Sequence, residues 1–142
     1  MSDISLAQAN DMIAAALAKA EALSLKPLTV TVHDAGGHMI ACQRQDGAST
    51  MRVKLAAGKA CGALALGVSS RAIGEMALDR PHFIAAIDTM PEGGMVPAAG
   101  GVIICDPEGR TVGAIGVTGD TSDNDEVCAL AAIDVVGLKP KN

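Results

Sequence analysis

The sequence predicts an α+β fold, with one antiparallel sheet of about five strands and helices packed on its faces. Two observations predict it. Two pairs of short apolar runs are each joined by a tight-turn signal, Asp34-Ala35-Gly36-Gly37 in the first and Asp106-Pro107-Glu108-Gly109 in the second, and both read as hairpins. The segments before, between and after them carry helical spacing and caps, so the order is helix, hairpin, helices, hairpin, helix. A length of 142 residues suits a single domain, 1–142, that buries its core without metals or disulfides.

Each element has its own signal. Ser5-Leu6-Ala7-Gln8 is a capping box, and Leu6, Ile13, Leu17 and Ala20 follow at helical spacing, giving an amphipathic helix over about 5–24 that Pro27 ends. Leu28–His33 and His38–Gln43 are the first hairpin, and its paired glycines tolerate positive φ. Thr50–Gly67 is a helix rich in Ala, Leu and Lys, whose glycines let another element approach closely. Ser69 or Ser70 caps a short helix to about Leu78. Pro81–Ala99 has no clear period, but Pro91-Glu92-Gly93-Gly94 is a strong turn signal, and Met90 and Met95 beside it suit adaptable packing or a loop that lines a cavity. Gly100–Ile104 and Val112–Thr118 form the second hairpin. Gly113, Gly116 and Gly119 recur there at every third residue and point to a crowded contact surface. Ser122 or Asp123 caps a last helix to about Val136, with Asp125 and Glu126 complementing its dipole.

Composition excludes several classes of function. The net charge is −5 and the basic residues are scattered, so there is no footprint for nucleic acid. One aromatic, Phe83, cannot make a base-stacking platform. The apolar runs are too short to span a membrane, and the first residues do not form a signal segment, which together predict a cytoplasmic protein. Cys42, Cys61, Cys105 and Cys128 lack metal or redox spacing and read as buried thiols, and no metal site is expected. An apolar fraction of 49% with a positive mean hydropathy predicts a homo-oligomer that hides part of its surface.

Val32-His33-Asp34-Ala35-Gly36-Gly37-His38, Arg44-Gln45-Asp46-Gly47, Lys59-Ala60, Gly100-Gly101, Val112–Gly119 and Asp125-Glu126, in this order and spacing, resemble the GlcG/HbpS-like proteins, which include the C-terminal haem-binding domain of PduO-type proteins. The resemblance covers nearly the whole chain and implies a profilin-like fold. It also implies that some members bind haem, the PduO-type domains through a histidine of the N-terminal helix. Residues 5–24 of this chain contain no histidine, so His33, His38, His82 or a methionine would have to substitute, and the cofactor is left open. Family members carry an Asp at the position of Asp34, and an apolar residue is usual where His33 stands.

His33, Asp34 and His38 are the leading catalytic candidates, because two imidazoles and a carboxylate surround one hairpin turn and could trade a proton. The alternative is a turn-capping Asp34 flanked by two hydrogen-bonded surface or edge histidines. Arg44 and Lys59 are candidate ligand-binding residues that could hold the carboxylate of a small organic acid. Arg44 shares strand parity with Asp46 and could equally form an ion pair with it. Gly100 and Gly101 could offer amides to an anion or a flat floor to a planar ligand, or simply bend the chain. His82 could reach a ligand from a loop. Asp125 and Glu126 are adjacent on a helix and point apart, which rules out a glycosidase-like pair.

Two functions compete on this reading. One is an oligomeric protein that binds a small ligand, haem or a small organic acid, as an accessory to a catabolic pathway. The other is an isomerase, hydratase or lyase acting on an oxo- or hydroxy-acid by histidine acid–base catalysis, with the Gly100-Gly101 amides as oxyanion donors.

Overall fold

A computed structural model of the chain describes residues 3–141. The elements in chain order are α1 (Leu6–Ala22), β1 (Thr29–Asp34), β2 (Met39–Arg44), α2 (Arg52–Leu66), α3 (Ser70–Asp79), α4 (Pro81–Ile87), β3 (Gly101–Cys105), β4 (Thr111–Thr118), α5 (Ser122–Val135) and β5 (Lys139–Pro140). The five strands form one antiparallel sheet in the order β2-β1-β4-β3-β5, so the two hairpins meet along β1 and β4. The α+β fold predicted from the sequence is the one observed.

The capping box of α1 forms as expected, with Ser5 Oγ accepting from the Gln8 amide and Gln8 Oε1 from the Ser5 amide. Pro27 does not end this helix. The chain turns earlier, where Ser24 takes a φ of 55°, the Ser24 amide donates to the Glu21 carbonyl and the Leu25 amide to the Ala20 carbonyl. At the other end of the chain, Thr121 caps α5 by accepting from the Asn124 amide, in place of Ser122 or Asp123. Pro81 opens α4 at its first turn, a position where a missing N–H costs nothing. The two hairpins account for four of the about five strands expected. The fifth, β5, is only two residues long and is extended by the Lys141 amide donating to the Ile103 carbonyl, a pairing too short to leave a periodic signal.

The sheet separates two unlike layers. On one face α1 and α5 enclose the main core, where Met12, Ile13 and Ile133 pack against Val30, Val32, Ile104, Ile115 and Val117. On the other face α2 lies almost on the strand backbones. A Cβ at Gly116 would overlap the Ala56 carbonyl, and one at Gly101 would overlap the Lys59 carbonyl. This is the crowding that the glycine pattern predicts, and it lets Ala56, Ala60 and Ala63 do the packing that large side chains do on the opposite face. A third cluster, Ile73, Ile84 and Met95, holds α3, α4 and the loop after α4 against the edge of α2.

Candidate functional site

Alternation along β1 sends Val30 and Val32 into the main core and Thr31 and His33 toward α2. His33 is therefore neither a surface nor an edge residue: it is 2% exposed on an interior strand. Its Nδ1 donates to the Gly37 carbonyl at 3.1 Å, and its Nε2 accepts from the Thr31 hydroxyl at 3.0 Å, the tautomer these partners require. Burial pushes its pKa down, against the pull of the Gly37 carbonyl and Asp34. The ring is a neutral, doubly satisfied group, and neither nitrogen is free to move a proton or ligate without breaking one of these bonds.

The turn that follows is organised by one oxygen. Asp34 Oδ1 accepts the amides of Gly36 and His38, both at 3.0 Å, and also lies 3.3 Å from His38 Nδ1. The desolvation that raises the Asp34 carboxyl is outweighed by the His38 and Gly36 amides and the His38 ring, and its pKa is lowered. His38 has a side chain 79% exposed, and its Nε2 has no partner among the described residues. A carboxylate on one imidazole nitrogen with the other nitrogen open is the arrangement that orients histidine ligands toward metals.

His38 stands beside a cavity of about 300 Å³. The turn supplies Gly36 and Gly37 to its wall, β2 supplies Met39, α2 supplies Ala57 and Cys61, the loop after α4 supplies Glu92 and Gly93, and His33 closes the inner end. A second cavity of about 210 Å³ adjoins it and shares Gly36, Gly37, Cys61 and Glu92. Cys61 Sγ lies 3.5 Å from the Gly37 carbonyl and 3.7 Å from His33 Nδ1, and burial, then the Glu92 charge, pushes its thiol pKa up. No Lys or Arg lines either cavity.

The remaining candidates do not join this cleft. Arg44 and Asp46 line a separate, open cavity of about 430 Å³ with Leu17, Leu25 and Pro27, and they form no ion pair; Arg44 Nη1 reaches the Ala48 carbonyl at 3.5 Å. Lys59 is 3% exposed beneath the sheet, where its Nζ donates to the Val117 carbonyl at 3.0 Å and to Asp125 Oδ2 at 3.1 Å. Burial pushes Lys59 down, while Asp125 pulls it up. Asp125 is thus more than a dipole complement, for its Oδ1 also accepts the Asp120 amide. The Gly101 amide is taken by Ser70 Oγ at 2.7 Å, and Gly100 and Gly101 are buried against Lys59. His82 lies exposed in the first turn of α4, outside the residues that line the cleft. The constellation expected of an acid–base enzyme is dispersed: its anion-holding groups are buried in structural bonds or lie at the other end of β2.

The sequence pattern marks the hairpin turn but carries no signal that Cys61, Ala57 or Glu92 would line a cavity. Only the Pro91-Glu92-Gly93-Gly94 turn signal pointed to the loop that lines the cavity. Of its two methionines, Met95 is buried against Gly62 and Met90 is exposed, so neither lines the cleft. Among the described residues no group of three or more His, Cys, Asp or Glu side chains is placed to hold a metal ion.

Comparison with known proteins places this geometry in a family. Residues 4–134 match the model of the family described as haem degrading protein HbpS-like. No match was found among curated proteins. Among solved structures, the chain is similar to the PduOC:heme complex at 21% identity and a TM-score of 0.85, over 99% of this chain and 100% of that one, a likeness of fold. It is similar to protein ORFY of Klebsiella pneumoniae at 26% identity and a TM-score of 0.82, over 94% of this chain and 91% of that one. A double mutant of Streptomyces reticuli HbpS is also 26% identical, with a TM-score of 0.81, over 96% of this chain and 89% of that one. The match over nearly the whole length, the five-stranded sheet and its flanking helices together show that the chain belongs to the HbpS-like family.

Proposed function

We propose that the protein binds a haem or a closely related planar cofactor in the cleft between the β1–β2 turn, α2 and the Pro91–Gly94 loop, with His38 as the axial ligand. The observation that carries this is the His38 ring, oriented by Asp34 at 3.3 Å with its Nε2 unpartnered beside the cavity. Of the three histidines in the chain, His33 has both nitrogens engaged and His82 stands apart from the cleft. Gly36, Gly37, Ala57 and Gly93 would present small walls to a flat ring, and the family's description supplies the cofactor class. Haem bound there would supply a redox-active iron. A small organic acid is the weaker candidate, because the family's description names haem and the His38 ring offers an open nitrogen suited to iron.

The protein acts, on this reading, as an accessory to a catabolic pathway rather than as an acid–base enzyme. Its four free cysteines suit a reducing, cytoplasmic setting, and among the described residues no helix is long and apolar enough to cross a membrane. It works as a homo-oligomer, because Leu78, Met90 and Met51 are 88%, 74% and 64% exposed. Light scattering on a sizing column should give a mass above that of one chain, and a monomer at every concentration would remove that part of the reading.

Hemin titration followed by absorption spectroscopy tests the cofactor. Wild type and His82→Ala should show the same saturable Soret shift, and His38→Ala should lose it while keeping the wild-type circular dichroism. A shift retained in His38→Ala would overturn the assignment. Decay of the bound spectrum with time would make the protein a haem-degrading catalyst instead of a carrier.

A further inference from the structure

We propose that Glu92 is the charge-setting group of the cleft, its carboxylate favouring the ferric over the ferrous state of an iron held by His38. This rests on the haem reading above and deepens it. Glu92 lies on the wall shared by the two adjoining cavities, and among the described residues it makes no hydrogen bond or ion pair. The other nearby carboxylate, Asp34, is engaged by two backbone amides and the His38 ring. With no Lys or Arg on either wall, nothing in the lining neutralises Glu92.

The backbone that carries Glu92 is held in place. The Gly94 amide donates to the Pro91 carbonyl at 2.9 Å, and Gly93 and Gly94 take φ values of 90° and 85°, a turn that side chains with a Cβ rarely adopt. Gly93 is pressed on Cys61 so closely that a Cβ would come within 2.7 Å of Sγ. Beyond the turn, the Val96 amide donates to the Gly58 carbonyl at 3.2 Å, and Met95 is buried on Gly62. The backbone under Glu92 is therefore fixed, while its exposed, unpartnered side chain stands on the cleft wall, where its charge adds to burial in pushing the Cys61 thiol up.

A ferric porphyrin core carries one positive charge and a ferrous core carries none, so a fixed negative charge nearby stabilises the ferric state. One-electron reduction by an added chemical reductant, iron(III) plus one electron giving iron(II), then measures the effect. The midpoint potential of haem-loaded wild type, Glu92→Gln and Glu92→Lys is read by spectroelectrochemical titration. Glu92→Gln should keep the wild-type Soret shift and lose roughly threefold to tenfold of the ferric preference, a rise of about 30 to 60 mV at ~59 mV per decade for one electron. Glu92→Lys should rise at least as far. Potentials unchanged in both variants, with haem still bound through a His38-dependent spectrum, overturn this proposal alone. If wild type gives no saturable haem spectrum, the cofactor reading fails and this proposal with it.

Discussion

Asp34 serves the backbone and a side chain with one carboxylate. Its Oδ1 closes the β1–β2 turn through the Gly36 and His38 amides and also lies 3.3 Å from His38 Nδ1, so the acceptor of an Asx-type turn and the neighbour of the His38 ring are the same atom. Asp34→Ala removes both functions. It should cost about 1 to 3 kcal/mol of stability, since two amides lose their acceptor. On the proposed haem reading it should also weaken hemin binding roughly tenfold to a hundredfold, the loss typical when a metal ligand's supporting carboxylate is removed. Asp34→Asn, which keeps a carbonyl acceptor, should recover most of the stability. Denaturant melts paired with hemin titration separate the two effects, and a variant that loses stability alone would leave His38 without a need for orientation. The two histidines of this hairpin divide by environment. His33 is sealed by Gly37 and Thr31, whereas His38, one residue beyond the turn, remains open.

α2 is the element that joins the layers, and a buried ion pair ties it to α5. Lys59 Nζ bridges the Val117 carbonyl of β4 and Asp125 of α5, and Asp125 in turn accepts the Asp120 amide at the α5 entrance. Deleting the Lys59 charge leaves a carboxylate 1% exposed with its counter-ion gone. Lys59→Met should therefore destabilise the fold by about 3 to 5 kcal/mol, and Lys59→Met combined with Asp125→Leu should be less damaging than Lys59→Met alone. Urea denaturation of the two variants checks this. If the double variant is the less stable, the Asp125 bond to Asp120 outweighs the unpaired charge. The closeness that makes this pair possible comes from small residues: Gly101 and Gly116 lie under the Lys59 and Ala56 carbonyls, and Gly58 and Gly62 receive Val96 and Met95.

At the scale of the whole molecule, Asp34, Asp106 and Asp120 accept backbone amides at the turns, and each has a depressed pKa. The His38 and Gly36 amides hold Asp34 down against its desolvation. The Arg110 amide dominates at Asp106, and at Asp120 the Asn124 side chain and then the Lys26 amide bring the value to about 2. A depressed acid contributes stability above its unfolded value, about 3.9, and loses it as pH falls through its folded value. The melting temperature should accordingly fall in two stages: first below about pH 6.5, where the unfolded His33 takes up a proton that the buried ring resists, and again between about pH 4 and pH 2 as these carboxylates protonate; a flat profile over the lower window would show these turns to be dispensable. Local chemistry made much of this molecule legible in its sequence. The capping box at Ser5, the Asp34 turn, both hairpins and the glycine spacing of β4 depend on neighbours a few residues apart, so they are written in short stretches of chain. The candidate site was legible only in part: the turn with its two histidines and aspartate could be found, but not which imidazole stays open, because that depends on α2 covering β1. Lys59 and Gly101 read as anion binders until Asp125 and Ser70, distant in the chain, took their hydrogen bonds. Cys61 and Glu92 reached the cleft only when a helix and a loop separated by some thirty residues packed against the hairpin. The sequence by itself determined the two antiparallel hairpins and the longer helices, since these follow from local periodicity and turn chemistry, whereas α4, β5 and the strand order came from packing. Only the tertiary structure decided which polar groups are spent on the fold and which remain for a ligand, because hydrogen-bond partners and burial are properties of packing between segments remote in sequence.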